Sequence, residues 1–237
     1  MLLIYSLLPV FIILGYVYFK DSDEPEPLGL LVKCFVGGIL IGPLVLLLPD
    51  FSIAHSTFQG EFITLFLQGA VQEEFFKFVV LYLLIWRNSN FNQWFDGIVY
   101  AVFVSVGFAA IENILYVLEG GFEVGVSRML LAVPGHAMNA VAMGYFMSKA
   151  KYTGRFFYHF PAYFFPVFLH GSYNGLLFLM GTRYQSVGIN FIFMLIFAGF
   201  QIWVWRQSFK KIRTFVENDK YNAENEYSIN AGFIKRK

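Results

Sequence analysis

Seven apolar runs divide this chain, at about 2–19, 29–49, 62–86, 95–118, 128–148, 159–181 and 187–205. Each is near the ~20 residues that carry a helix across a bilayer. The connectors between them are short and hold the turn-formers, and none is large enough to fold as a domain. The expected fold is therefore all-α, a polytopic transmembrane helix bundle of about seven spans. Composition agrees, with 57% hydrophobic and only 14% charged residues, where a soluble domain is closer to a quarter charged. Thirty phenylalanines suit a lipid-facing exterior. A net charge of +1 gives no case for nucleic acid. Cys34, the single cysteine, has no disulfide or metal-site partner and reads as a small buried hydrophobe.

The first run lacks a basic leading segment and a small-residue cleavage site before Lys20-Asp21-Ser22-Asp23, so it reads as a retained span. Residues 1–206 form one membrane-embedded domain, and 207–237 a polar, flexible cytoplasmic tail. Lys149, Lys151, Arg155 and the basic residues after Arg206 fall on one side of the span count, with Arg87, Lys20 and Lys33. That bias predicts the N-terminus outside and the C-terminus in the cytoplasm.

The third run contains Glu73-Glu74-Phe75-Phe76-Lys77, three charges in five residues. Each costs roughly 2.5–3.5 kcal/mol at the centre of a membrane helix on insertion scales. Glu73 and Lys77, four apart, share a helix face and can pair. Glu74 points elsewhere, and Glu112 lies buried in the fourth run. One buried cation cannot neutralise three carboxylates, so at least one is protonated, binds a metal or faces water. His170 and Asn174 also stand four apart on one face, among small Gly171, Ser172 and Gly175. The small residues suit close helix approach; the polar pair suits holding a water or stabilising an oxyanion. His136 follows Pro134-Gly135, a break expected to open backbone toward a cavity. Ser105 reads as packing, Asp96 as a cap or interface residue, and Arg128 as a loop cation. His55 and His159 fall at loop positions. There is no His-Glu-x-x-His, Gly-rich phosphate loop or Gly-x-Ser-x-Gly.

Membrane carboxylates and histidines serve either bond chemistry or proton relays, so an intramembrane enzyme and a proton- or ion-coupled transporter are both open. A scaffold binding partner spans through Gly171 and Gly175 would leave the charged set unexplained. The ordered set Glu73-Glu74-x-x-Lys77, Phe95-Asp96-Gly97, Gly107-Phe108, Glu112-Asn113, His136 and His170-Gly171-Ser172-Tyr173-Asn174 resembles the PrsW family of intramembrane proteases. That family is similar in turn to the CAAX prenyl proteases and other glutamic-type intramembrane peptidases. Those usually carry phenylalanine where Ala132 stands here, four residues before the first histidine. The resemblance covers about residues 1–206. It implies a multi-pass peptidase of the bacterial cell membrane that makes the first (site-1) cut in a single-span anti-sigma factor, releasing a sigma factor in a stress response.

By matching position, the resemblance implies Glu73 as general base and His136 as a partner in binding the catalytic water. His170 and Asn174 would form the oxyanion site, Glu74 would orient, and Lys77 would hold the glutamate pair. Glu112 and Asn113 match the family's Glu-Asn motif as supporting residues. Glu73, His136 and His170 would also satisfy a His-His-Glu zinc site. The likeness to glutamic-type prenyl proteases favours a metal-free water instead, with no cofactor.

Overall fold

The computed structural model describes residues 2–21, 24–48, 58–181 and 186–234. Eight α-helices follow in chain order among them: α1 (Leu2–Lys20), α2 (Leu28–Leu46), α3 (Phe58–Thr64), α4 (Glu73–Ile85), α5 (Asp96–Leu130), α6 (Ala132–Thr153), α7 (His159–Gly181) and α8 (Val187–Ile234). A π-helical stretch, Leu65–Gln72, joins α3 to α4, and a short 3-10 turn, Phe156–Tyr158, precedes α7. No strand occurs among the described residues. Three stretches are long and apolar enough to cross a membrane, Leu28–Leu46, Asp96–Thr153 and Val187–Asn225. Residues 49–57 and 182–185, with Asp50, His55 and Arg183, lie outside the described residues.

α5 is the axis of the bundle. Every residue from Asp96 to Ala110 is buried, packed among α1, α2, α4 and α6. The inward residues are mostly small or β-branched, whereas Phe11, Ile12, Leu40, Phe160, Phe164, Phe168 and Ile192 face outward. That inversion of the soluble pattern is what a lipid solvent asks for, since packing rather than water drives membrane helices together. Close approach is glycine-mediated: a Cβ on Gly38 would collide with the Val104 carbonyl where α2 crosses α5, and a Cβ on Gly144 with the Gly97 carbonyl where α6 crosses α5. Gly144→Val is expected to cost on the order of 1–3 kcal/mol by overpacking, lowering the melting temperature in detergent. Gly188→Ala, where nothing lies within 4 Å, is expected to melt as wild type.

Four expectations are corrected. The spans placed at 95–118 and 128–148 are α5 and α6, which meet at Leu131 (φ −120°, ψ −54°). The expected connector at 119–125 is helical, interrupted only at Gly121, whose φ of 72° only glycine adopts readily. Pro134 then falls in the first turn of α6, where a missing N–H does least harm, and the break lies just before it. Third, the segment from 207 onward, expected to be flexible, continues α8 through Ile234. Asp219 explains the ordering: its carboxylate accepts the backbone N–H groups of Trp94 (2.9 Å) and Phe95 (2.8 Å), pinning α8 to the start of α5. His159 opens α7 rather than a loop, its ring 4.6 Å from Trp86 and its Nδ1 on the Phe156 carbonyl. Cys34 is buried and free.

Candidate active site

The charged residues of the third run stand at the point where π-helix gives way to α-helix. A π stretch carries an extra residue per turn and is common at functional sites, because it redirects the side chains that follow. Its Val71 carbonyl accepts the Tyr163 hydroxyl of α7 at 3.1 Å. Gly69 lies against α7 as well: a Cβ there would stand 2.8 Å from Asn174 Nδ2. The π segment thereby seats the α7 face that bears His170 and Asn174.

Glu73, Glu74 and Lys77 meet as their spacing implied, but with unequal roles. Lys77 Nζ is fully buried and donates to Glu74 Oε1 at 2.8 Å, with a longer 3.4 Å contact to Glu73 Oε2. It also donates to His136 Nδ1 at 3.1 Å and sits 4.2 Å over the Phe108 ring. With Nδ1 accepting, His136 carries its proton on Nε2, which donates to Glu112 Oε2 at 2.9 Å. His170 Nδ1 donates to Glu74 Oε1 at 2.9 Å, leaving Nε2 as its lone-pair nitrogen. The two imidazoles are perpendicular, 5.1 Å between centroids. Glu74 is 0% exposed and Glu73 12%. The first is therefore fully buried between Lys77 and His170, and the second is the carboxylate that opens outward.

It opens into a cavity of about 620 Å³ lined by Glu73, Glu112, Arg128, His136, His170 and Asn174, among others. α8 closes one wall with Phe200, Gln201, Val204 and Trp205. Ser105, expected to be packing alone, donates to the His136 carbonyl at 3.0 Å. Asn113 accepts Arg128 Nε at 3.2 Å. Asp96 belongs to another place in the fold, accepting the N–H groups of Asn92 and Gln93.

Arg128 is the participant that sequence reasoning missed. Its guanidinium pairs with Glu112 Oε2 at 2.8 Å and lies 3.9 Å over the Tyr116 ring. The signal was present, because Arg128 is the only Lys or Arg between Arg87 and Lys149. A half-buried Glu112 needs a cation, and that interval offers one.

Glu73, Glu74, His136 and His170 present ligand atoms all within 4.8 Å of one another. Two imidazoles and a carboxylate are a donor set that fits zinc, and Glu74 Oε2 is buried without a hydrogen-bond partner. The Glu74–His170 contact also matches the carboxylate–histidine pairing that orients metal ligands.

A model of the family described as "PrsW family intramembrane metalloprotease" matches residues 26–201. The chain is 38% identical over 167 residues to a protein named "Protease PrsW" in Geobacillus kaustophilus, covering 70% of this chain and 74% of that one. A protein of the same name in Oceanobacillus iheyensis is 34% identical over 217 residues, covering 90% and 95%. The Bacillus subtilis protein of that name is 31% identical over 210 residues, covering 87% and 93%. No solved structure matches. The ordered motifs and the helices that bring them together fall within the matched region, and the chain belongs to the PrsW family of intramembrane metalloproteases, as a membrane-embedded peptidase.

Proposed function

We propose that this chain is a multi-pass peptidase of the bacterial cell membrane that makes the first cut in a single-span anti-sigma factor, using a water activated by Glu73. The observation that carries the reading is the unequal bonding of the glutamate pair. Glu74 is held by Lys77 and His170, whereas Glu73 has only the 3.4 Å Lys77 contact and a 3.9 Å approach to His170. Glu73 thus keeps lone pairs free on the cavity side, as a general base requires.

In this reading Glu73 takes a proton from water as the water oxygen bonds to the scissile carbonyl carbon. The carbonyl oxygen becomes an oxyanion, to which the Asn174 amide donates. His170 contributes a second donor when Nε2 is also protonated, since its Nδ1 proton is given to Glu74. As the C–N bond breaks, Glu73 returns its proton to the departing amine nitrogen. Membership in a peptidase family sets aside the transporter reading.

A second reading is favoured by the 4.8 Å cluster and by the family's description. Glu73, His136 and His170 would hold a zinc ion, which supplies a water of low pKa and polarises the carbonyl. His170 Nε2 is open to such an ion, and His136 Nδ1 is open once Lys77 withdraws from it. Metal content separates the two. Activity that survives chelation in protein lacking zinc supports Glu73 as base acting alone. One zinc per chain, with activity lost on removal and regained on return, establishes the second.

We further infer that the helical units α1, α2, α3–α4, α5, α6, α7 and α8 each cross the bilayer, with the N-terminus outside and the C-terminus cytoplasmic. The side-to-side bias of Lys and Arg supports this. The function is tested by co-expressing the chain with a tagged single-span anti-sigma factor. A shortened product that appears only with active enzyme is the expected result, and an intact substrate across candidate anti-sigma factors overturns that substrate class.

A further inference from the structure

Three carboxylates are buried together at the first turn of α5, away from the peptidase site. Asp21 follows α1, Glu26 precedes α2 and Asp96 opens α5; their exposures are 4%, 4% and 0%. One oxygen from each lies within 4.8 Å of the others. Asp96 is sixteen residues before Glu112 on α5, about 24 Å of helix, so the two clusters are separate. Asp96 Oδ2 accepts the Asn92 and Gln93 N–H groups at 2.8 and 2.6 Å. Its Oδ1 is buried without a hydrogen-bond partner. Glu26 Oε2 accepts the Tyr100 hydroxyl. Among the described residues, no ion pair reaches Glu26 or Asp96.

Buried carboxylates are as a rule paired with a cation or coordinated to one. Here the donors are all carboxylate oxygens, the set that suits hard cations rather than zinc or copper. We propose that Asp21, Glu26 and Asp96 bind a hard divalent cation, Mg²⁺ or Ca²⁺, which ties the α1–α2 connection to the start of α5. The ion satisfies Asp96 Oδ1 and offsets the repulsion among the three groups. It clamps the end of the bundle where Asp219 also fastens α8. The site is independent of the peptidase chemistry and of the orientation in the membrane.

The full chain, purified in detergent and stripped with chelator, is titrated with Tb³⁺ under excitation of its aromatic residues, since Tyr100 lies against the site. The expected result is saturable terbium emission that Ca²⁺ or Mg²⁺ displaces, the more effective competitor naming the cation. Glu26→Gln and Asp96→Asn are each expected to weaken that binding roughly tenfold or more, while Glu73→Gln leaves it intact. Emission that never saturates, or that survives both substitutions, overturns the proposal. Melting curves give a second readout that does not depend on Asp96→Asn folding well. Added Mg²⁺ or Ca²⁺ raises the melting temperature of the wild type and not that of Glu26→Gln. If instead Glu26→Gln stabilises the stripped protein and neither cation alters the wild type, the triad shares a proton and the proposal falls.

Discussion

Glu73→Gln is expected to leave the anti-sigma substrate at full length beside an undiminished amount of enzyme. Glutamine keeps the shape of the side chain, and the position is the more exposed of the pair, 12% against 0% for Glu74. Little packing is lost, so the protein accumulates in the membrane. What is lost is proton transfer, worth roughly 10²–10⁴ in rate for a general base, which an immunoblot registers as no cleavage. Glu74→Gln is expected to behave differently: it disturbs the bonds to Lys77 and His170 together, so enzyme level and activity fall in parallel. Cleavage that persists in Glu73→Gln would transfer the base to another carboxylate on the cavity, of which Glu112 is one.

The second large effect is on stability. Lys77→Met removes the ammonium group that pairs with Glu74 at 2.8 Å and strands a fully buried carboxylate. Breaking a buried pair from one side costs about 3–5 kcal/mol, a large part of the margin of a chain this size. The expected readout is a steep fall in melting temperature and in the amount of protein recovered from the membrane. Lys77→Met combined with Glu74→Gln is expected to recover much of that loss, because no isolated charge remains. Activity stays absent in the double variant, since His136 and His170 have lost the groups that fix their protons. A Lys77→Met protein that melts as wild type would show that the cluster is not held by this pair.

The sequence carried the site in its spacing and its costs. Glu73, Glu74 and Lys77 were visible because charge in an apolar run is expensive, and His170 with Asn174 because four residues make one helix face. Hydropathy could not report the π stretch before Glu73, since a change in hydrogen-bond register leaves no mark on apolarity. Arg128 escaped because Gly121 was read as part of a connector, which placed the arginine in a loop away from Glu112. The helix beyond residue 206 escaped for a related reason. Its apolarity ends there, but the contact that orders it, Asp219 on the Trp94 and Phe95 amides, joins positions more than a hundred residues apart. Ser105 gave no signal at all, being one hydroxyl whose acceptor is a backbone carbonyl on another helix.

α5 has 35 residues, about 52 Å if straight, against a hydrocarbon layer of about 30 Å. A rod of that length would tilt steeply or drive its far end well past the headgroups. Gly121 folds the excess back on itself, and Arg128 returns to within 2.8 Å of Glu112, from which a straight helix would hold it about 24 Å away. The mismatch between helix and bilayer is thus taken up inside the chain, and the surplus turn of helix delivers a counter-ion to the depth of the glutamate–histidine cluster.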